Sequence, residues 1–597
     1  MMTLLKKLIF VLTISVIFGC KAQEVNKASE TQSQLQDHNT DHWIATDALG
    51  REATTFEEAG ELKENKIVGI FYYIWHGHHS KKVYDITEIL KDPKGKRKWG
   101  PKGKFHFWGE PEQGYYRAED PWVLRRDLQM LTNAKVDFLY LDVTNHFIYP
   151  ETVHALFQMG AKMRKEGIKT PDITFTTNSK SGLTVTKIYN EFYKKGLYKD
   201  QWFMWEGKPV IMANPKDKEL TQQARDFFTV KYSWAWTKTK ENPNHWQWVD
   251  TTPQDYGWSK HPSIAEQIPV SVAGHPVQLG HGLYGTSRSD GKQPKVNEYY
   301  VTETTGQGEH FQEQWNRALE VNPEIVMVTQ WNEWLAQRFI WDGKLKHSGY
   351  AGRPINIGDS YFVDAFSREF NRDMAPMKDG HTDNYYYQLI SNVRKYKGMH
   401  APIKFAQDTK IKIDGDFEDW ETVQPEFYDP KGDTMHRSFA GYDPSTTYTN
   451  KTGRNDIVSS KVGLDNTHVF FYAKTQQNLT NHKDDKWMLL FIDSDKDITT
   501  GWEGYDYVVN YDVVSLDEST LKKWNGSTWV DAGSVTYKYT KNELELRVAK
   551  KDIGLNDYSE FYFKWADNPI ELSDVTTFFM NGDTAPDRRF KYHFKDN

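Results

Sequence analysis

An acidic side chain stands between two tryptophans in the run 330–334 (QWNEW), which directly follows an apolar segment. Indole rings beside a carboxyl group exclude water and raise its pKa toward the range of a general acid or base. The rings also offer flat apolar area with one polar handle, which suits sugars. We therefore predict that Glu333 is catalytic and that Trp331, Asn332 and Trp334 contact a carbohydrate substrate.

Hydrolysis of a glycosidic bond generally uses two carboxyl groups, about 5–5.5 Å apart for retention or about 6.5–9.5 Å apart for inversion. Asp142 ends the buried run 139–141 (LYL) and is the predicted partner of Glu333. A rim aspartate bonded to Asn145 or to loop amides is the structural alternative. Three further acids stay open as partners: Asp250, Asp255 and Glu110.

Histidines and aromatic residues follow other predicted strand ends. Trp75 and Trp108 are expected to bind sugar, and His76, His78 and His275 to bind its hydroxyl groups. The spacing of His76 and His78 also fits a metal site, which makes a metal-dependent hydrolase a further alternative. The last strand, however, ends in Asn-Glu rather than in the aspartate that such sites use.

A basic loop, residues 94–104 (KGKRKWGPKGK), carries six basic side chains and no acid. Its position after the first strand predicts that it overhangs the mouth of the site. Basic charge interleaved with rings can grip an anionic polymer, so a uronate-containing or sulfated polysaccharide is the expected substrate. A solvated loop on an acidic protein is the alternative.

The composition narrows the function classes. The chain has 597 residues, enough for two to four domains, and a net charge of −7 from 82 acids and 75 bases. This balance argues against a general nucleic-acid binder, which would carry a basic face. One cysteine, Cys20, permits neither an intrachain disulfide nor a cysteine-based zinc site.

Residues 1–19 are typical of a secretory signal peptide, with Lys6 and Lys7 before an apolar run that is too short to span a bilayer comfortably. Gly19 followed by Cys20 resembles a bacterial lipobox. This resemblance implies a lipoprotein acylated on Cys20 and anchored in the cell outer membrane, facing the periplasm or the cell surface. A plain secreted protein is the alternative. Residues 20–60 are predicted to form a tether.

Strand and helix patterns alternate over 61–400 and predict a parallel sheet in a (β/α)₈ TIM-type barrel, so the fold class is α/β. A doubly wound sheet is the runner-up, but no G-x-G-x-x-G opens a helix. In a barrel the carboxyl ends of the strands carry the active site. Predicted strands cover 67–74, 136–143, 172–177, 209–213, 229–236, 268–273 and 325–330; predicted helices cover 121–134, 151–166, 183–195, 311–321 and 361–396.

Short alternating strands dominate 403–597 and predict an all-β sandwich. The stretches 413–420 (IDGDFEDW), 493–495 (DSD) and 500–502 (TGW) resemble family 9-like carbohydrate-binding modules. The resemblance implies either glycan binding or a structural sandwich. Asp493, Asp495 and Asp497 alternate as calcium ligands do and form a candidate structural calcium site; a solvated acidic turn is the alternative.

Three motifs, 71–75 (FYYIW), 207–210 (GKPV) and 331–334 (WNEW), resemble glycoside hydrolase families 99 and 71. Family 99 contains retaining endo-acting α-mannosidases on a (β/α)₈ barrel that are thought to need no metal. Its motif continues W-N-E-W-H-E, in which the first Glu acts on the sugar 2-hydroxyl and the second is the acid/base. Glu333 matches the first of these, whereas Ala336 occupies the second position, so the family mechanism does not carry over whole.

Together these features predict a surface lipoprotein that hydrolyses glycosidic bonds in a complex polysaccharide and needs no cofactor for catalysis. Its expected partners are the polysaccharide and, through Cys20, a membrane, but no nucleic acid. The replacement at Ala336 motivates the main alternative, a non-catalytic glycan-binding protein on a degenerate glycosidase barrel.

Overall fold

The computed structural model describes residues 40–277, 285–287, 304–344, 350–351, 355–403, 405, 410–555 and 559–596. Within these ranges the chain forms an α/β domain followed by an antiparallel β domain. The predicted signal peptide, with Cys20, lies outside the described residues. Over the ranges given above, every helix is too short or too polar to cross a bilayer.

Strands and helices alternate in the first domain, as the apolar periodicity predicts. Its strands are β1 (Ile67–Tyr72), β2 (Phe105–Phe107), β3 (Phe138–Asp142), β4 (Asp172–Thr176), β5 (Met204–Trp205), β6 (Lys208–Met212), β7 (Thr229–Lys231), β8 (Gln267–Ser271), β9 (Ile325–Thr329), β10 (Leu335–Gln337), β11 (Phe339–Ile340) and β12 (Ser360–Tyr361). Its helices are α1 (Phe56–Ala59), α2 (Ile86–Lys91), α3 (Pro121–Asn133), α4 (Pro150–Lys165), α5 (Ser181–Ile188), α6 (Gln222–Phe227), α7 (Glu309–Val321) and α8 (Asn384–Lys397).

Seven of these strands run parallel in one curled sheet, in the order β7-β6-β4-β3-β1-β9-β8. The segment between the edge strands β7 and β8 is irregular. In this segment Trp246 N donates to Tyr232 O, directly after β7 (2.8 Å). Gly257 N donates to Gln267 O, at the start of β8 (2.6 Å). The described strands thus form a half-barrel, with irregular chain where the predicted barrel has a further strand.

Side chains alternate between the two faces of the curled sheet. Phe71, Phe138, Tyr140 and Met327 pack together on the inner face, whereas the residues between them pack under the helices. A Cβ on Gly69 would lie 2.1 Å from the Phe138 ring, so the inner face is filled at this point. The same alternation carries the end of β3 into the mouth of the half-barrel.

The local signals at helix α3 are confirmed: the Asp120 carboxylate accepts from Trp122 N (3.0 Å) and Pro121 occupies the first turn. The predicted helix over 361–396 is wrong in its first part, since α8 begins only at Asn384. Residues 362–383 are irregular because buried phenylalanines, among them Phe362 and Phe366, fix them by tertiary packing.

The second domain is a nearly closed antiparallel sheet with a short helix, α9 (Thr577–Met580). Its strands are β13 (Glu426–Tyr428), β14 (Arg437–Ala440), β15 (Thr447–Asn450), β16 (Ile457–Leu464), β17 (His468–Thr475), β18 (Leu489–Asp493), β19 (Tyr507–Val513), β20 (Glu518–Trp524), β21 (Trp529–Thr540), β22 (Glu543–Ala549), β23 (Glu560–Asp567), β24 (Asp583–Ala585) and β25 (Tyr592–Lys595).

Part of the predicted tether, residues 40–59, packs against both domains. The Trp43 ring lies against Phe590 and Tyr592 (ring centroids 5.2 and 6.1 Å apart) and is buried. Ile44 N donates to Lys591 O (2.9 Å). Burial of this indole therefore fixes residues 40–59, which the sequence predicts to be part of the tether.

Buried polar contacts join the two domains. Arg588 donates to both carboxylate oxygens of Glu112 at 2.8 Å, in a bidentate geometry. Arg437 reaches Asp120 at 2.7 Å, so the helix cap of α3 is also an interdomain partner. The domains therefore contact each other through fixed, desolvated ion pairs.

Candidate active site

A cleft of about 700 Å³ opens at the carboxyl ends of the parallel strands. This is the edge at which barrel enzymes gather their active-site residues. The lining comes from the ends of several strands and from the loops that follow them, and it includes Phe71, Trp75, Asp142, Thr176, Ser233, Trp248, His275, Glu333 and Asp364.

The backbone around Glu333 is fixed from both sides. Asn332 accepts from Tyr73 N (2.8 Å) and donates to Tyr73 O (3.2 Å), which ties the segment to the end of β1. Glu333 N donates to Asp373 (2.6 Å), whose other oxygen accepts from Trp108 Nε1 (2.7 Å). These hydrogen bonds hold the backbone so that the Glu333 side chain lines the cleft.

The two flanking tryptophans lie in the core and not at the cleft. Trp331 packs edge-on against Tyr386, and Trp334 stacks on Trp108 with ring centroids 5.0 Å apart. All three indoles are fully buried. The sequence predicts sugar contacts for Trp108, Trp331, Asn332 and Trp334. These four residues lie outside the cleft lining and hold the segment that carries Glu333.

A second acidic residue that the sequence did not single out, Asp364, faces Glu333 across a buried arginine. Arg372 Nη2 lies 3.6 Å from Glu333 Oε2 and 3.8 Å from Asp364 Oδ1. The Arg372 side chain is fully buried, that of Glu333 is 10 % exposed and that of Asp364 is 40 % exposed. One guanidinium thus holds two cleft carboxyl groups together.

Burial raises the pKa of Glu333 well above its ordinary value of 4.5, and the charges of Asp364 and Asp142 add to the effect, while Arg372 opposes it. Burial also raises the pKa of Asp364, again against Arg372. Burial and mutual repulsion therefore favour binding of a proton by this pair of carboxyl groups, while Arg372 opposes it. The more enclosed Glu333 is the better place for that proton, and Asp364 is the better anion.

Asp142 also lines the cleft, but its oxygens are already bonded. One accepts from Trp75 Nε1 (2.8 Å), and the other accepts from Thr144 N (3.0 Å) and Thr144 Oγ1 (2.8 Å). Burial raises its pKa. The geometry makes Asp142 a residue that holds the Trp75 indole and places negative charge near Glu333.

Ala336 lies on β10, which pairs antiparallel with β2 opposite His106. Its neighbours Leu335 and Gln337 line the cleft, whereas Ala336 itself is fully buried on the other face. A side chain at this position therefore points away from the cleft, and the second carboxyl group comes instead from Asp364.

Aromatic walls flank the two carboxyl groups. Trp234, Trp236 and Trp248 line one part of the cleft, with Trp248 near Phe71 (5.6 Å between ring centroids) and under the Arg372 guanidinium (5.0 Å). The sequence signal for these was the tryptophan-rich stretch 234–258, which was not assigned to the cleft. Other aromatic lining residues are Trp75, Phe105, Phe147 and Phe339.

The predicted histidines separate into two groups. His275 lines the cleft, and its Nδ1 lies 2.9 Å from Arg372 Nη1, a group that can only donate. His76 is fully buried between Tyr73 and Tyr116, where desolvation lowers its pKa to about 3. His78 bonds Thr152 (2.9 Å) outside the cleft lining. His76 and His78 therefore neither reach the cleft nor face one common point.

The basic loop reaches the cleft rim, where Gly103 and Phe105 form part of the lining. Most of its lysines are exposed, and Lys94 pairs with Asp359 (2.9 Å). The remaining acids considered from the sequence, Asp250, Asp255 and Glu110, lie outside the cleft lining.

In the second domain, the three predicted calcium ligands Asp493, Asp495 and Asp497 do not form one cluster. Asp493 and Asp495 gather with Asp506, whereas the exposed Asp497 accepts from Thr499 N (2.9 Å). Lys591 Nζ lies 2.7 Å from Asp493 and already supplies a cation there. Asp497 therefore does not join the cluster, and the ammonium group competes with a metal ion.

No protein-family model and no curated protein matches this chain. Among solved structures, a GH99 endo-alpha-mannosidase from Bacteroides thetaiotaomicron matches with a TM-score of 0.31 and 14 % identity, over 56 % of this chain and 98 % of that one. The same enzyme in complex with bis-tris-propane matches with a TM-score of 0.30 and 13 % identity, over 55 % and 97 %. At these scores the likeness carries no argument, and the site rests on its own geometry.

Proposed function

We propose that this protein is a glycoside hydrolase whose reaction centre is formed by Glu333 and Asp364. The observation that carries the proposal is that both carboxyl groups contact the buried Arg372 guanidinium inside a cleft walled by tryptophans. Paired carboxyl groups serve hydrolysis of glycosidic bonds, and exposed ring faces beside them suit sugars.

In the proposed reaction Glu333, protonated because its pKa is raised, donates its proton to the oxygen of the departing sugar. Asp364, the anion, either attacks the anomeric carbon or takes a proton from a water that attacks it. Because both oxygens lie against one nitrogen, their separation is at most roughly 7.4 Å, which accommodates the retaining spacing of about 5–5.5 Å and the short end of the inverting range.

The substrate we propose is a complex polysaccharide with uronate or sulfate groups. Exposed lysines of the basic loop, among them Lys102 and Lys104, flank residues of the cleft rim. Their charge would attract an anionic chain and would do so less at high salt.

We further propose that the mature chain is a lipoprotein acylated on Cys20 and anchored in the outer membrane. The lipobox-like end of the leader supports this proposal. An anchored enzyme would cleave polymer held near the membrane, and the second domain would add either glycan binding or rigidity.

The test is release of reducing ends from a panel of neutral and anionic polysaccharides by the full chain. Wild-type protein is expected to produce new ends from an anionic member, and Glu333→Gln to lower the rate by about 10²–10⁴-fold, the usual value of a general acid. Glu110→Gln is the matched control, since Glu110 lies outside the cleft lining and pairs with Lys378.

The second candidate function, glycan binding without hydrolysis, is favoured by the sequence at Ala336, which lacks the second acid of the motif that the chain resembles. It predicts retention of a polysaccharide by wild type and Glu333→Gln alike, with no reducing ends from either protein. That outcome would replace the hydrolase proposal.

A further inference from the structure

Three aspartates meet at the junction of the two domains, far from the cleft. Asp429 follows β13, Asp433 lies four residues later, and Asp583 begins β24. One carboxylate oxygen from each lies within 4.8 Å of the others. Six to eight oxygens at about 2.3–2.6 Å surround a calcium ion, so oxygens on opposite sides lie about 4.6–5.2 Å apart, which matches this spacing.

The carboxylates of Asp429 and Asp433 have no basic or amide hydrogen-bond partner among the described residues, and Asp433 lies beside a further acid, Asp456. Asp429 is 1 % exposed, and among the described residues none donates a hydrogen bond to either oxygen of Asp429 or of Asp433. Burial, and then neighbouring aspartates, raise the pKa of both groups well above the ordinary value. An isolated buried carboxylate is costly unless it is paired, protonated or bound to a metal.

Two of the nearby cations, Lys564 and Arg125, are directed elsewhere, whereas the charge of Arg126 acts on Asp433 and Asp587. The ammonium group of the fully buried Lys564 donates a hydrogen bond to Pro586 O. Arg125 donates to Lys431 O and to Glu166. The backbone N–H of Ile457 donates to Asp583 (2.6 Å), and the side-chain amide of Asn133 donates to the adjacent Asp587 (2.8 Å). These contacts leave the oxygens of Asp429 and Asp433 available to a ligand.

A cavity of about 40 Å³ adjoins the cluster, and its lining includes three aspartates, Asp433, Asp583 and Asp587, and three arginines, Arg125, Arg126 and Arg588. A space of about 10–15 Å³ suffices for one water, so waters fit beside the carboxylates. The cavity therefore provides room for an ion that is partly coordinated by water.

We propose that Asp429, Asp433 and Asp583 bind a calcium ion in the second domain, next to its contact with helix α3. The donor set contains only carboxylate oxygens, which suit a hard cation and not zinc or copper. The adjacent Asp587 is hydrogen-bonded to Asn133 at the end of α3. This site differs from the Asp493 cluster, where Lys591 supplies the positive charge.

The proposal is tested on the full chain by elemental analysis after dialysis against trace calcium, and by thermal unfolding with CaCl₂, MgCl₂ or EGTA. About one calcium per chain is expected, with a Tm that rises in CaCl₂ and falls in EGTA. Asp429→Asn/Asp433→Asn should lose the ion and the response of Tm, whereas Asp495→Asn should keep both.

Because the double variant can fail to fold, calcium titration of wild-type protein after chelation is followed by luminescence of terbium, which calcium should displace. No bound divalent ion in wild type together with a Tm indifferent to calcium and EGTA would overturn the proposal. Loss of the ion in Asp495→Asn but not in the double variant would also overturn it, by assigning the ion to the other cluster.

Discussion

At the scale of single residues, the Arg372 guanidinium determines which carboxyl groups work together. It contacts Glu333 and Asp364 but not Asp142, whose oxygens bind Trp75 and Thr144. Glu333 was readable from the sequence because a Trp-flanked acid at a strand end is a local pattern. Asp364 was not, since its link to Glu333 exists only through a buried side chain eight residues further along the chain.

Asp142 should act on the reaction through charge. Its carboxylate helps to raise the pKa of Glu333, so Asp142→Asn should lower that pKa. In the proposed reaction Glu333 acts when it is protonated, so activity should be lost as pH rises through its pKa. The alkaline limb of the pH profile of kcat/KM is therefore expected to move to lower pH in Asp142→Asn.

The exposed Asp226→Asn on α6 is the control for this shift and should leave the profile unchanged. An alkaline limb that stays in place or moves to higher pH in Asp142→Asn would show that Asp142 does not raise the pKa of Glu333 in solution.

The sequence alone does not decide the role of the tryptophans beside Glu333. An indole next to an acid is equally compatible with a sugar platform and with a core anchor. The full burial of Trp331 and Trp334 decides for the anchor, and the indole rings that line the cleft come from residues 234–248 and from Trp75.

At the scale of elements, the strands of the curled sheet were the most predictable part. The central strands β1 and β9 are buried on both faces, so their residues form continuous apolar runs. The strand predicted over 229–236 and the helix predicted over 361–396 were too long. Their irregular parts carry Trp236 and Asp364, and distant contacts such as that of Trp236 N with Val249 O (3.0 Å) hold them.

Tight packing inside the sheet gives a prediction for β1. Gly69→Ala places a methyl group against the Phe138 ring, where its Cβ would lie 2.1 Å from the nearest atom. Overpacking of this kind costs about 1–3 kcal/mol, which urea unfolding would measure as a lower free energy of unfolding.

Gly95→Ala is the matched control, since a Cβ there meets nothing within 4 Å. It should change stability by less than about 0.5 kcal/mol. Equal stability of the two variants would show that the Phe138 ring can move aside and that the inner face of the sheet is not tightly packed there.

At the scale of the whole molecule, the two domains should unfold together because buried ion pairs join them. Burial alone would raise the pKa of Glu112, but Arg588 outweighs it and holds that pKa below the ordinary 4.5. Glu112→Gln removes the bidentate anion of Arg588 and leaves it, among the described residues, only Asp383, 4.0 Å away. The variant should cost about 3–5 kcal/mol at pH 7, measured by urea unfolding.

The sign of the pH dependence follows from the lowered pKa. The contribution of the pair is present above about 4.5 and is lost as pH falls through the folded-state pKa of Glu112. The difference between Glu112→Gln and wild type should therefore shrink below pH 4.5. Glu88→Gln, which breaks an exposed pair with Lys91, should change stability little at any pH. A constant difference down to pH 3 would contradict this assignment.

The whole-molecule contacts lay beyond sequence reasoning for one physical reason. The alternating aspartates at 493–497 form a local pattern and attracted the calcium prediction. The proposed calcium cluster instead joins positions 429, 433 and 583, which only the folded sheet brings together. The same holds for Glu112 and Arg588.

The most direct test of the paired reaction centre is a double-mutant cycle on the rate of reducing-end release, with Glu333→Gln, Asp364→Asn and both together. Each single variant should lose at least about 10²-fold in kcat with similar substrate affinity. Groups that act as one unit are not additive, so the double variant should be little slower than the worse single one. An Asp364→Asn enzyme with wild-type kcat, or losses that multiply in the double variant, would contradict the pairing of Glu333 with Asp364.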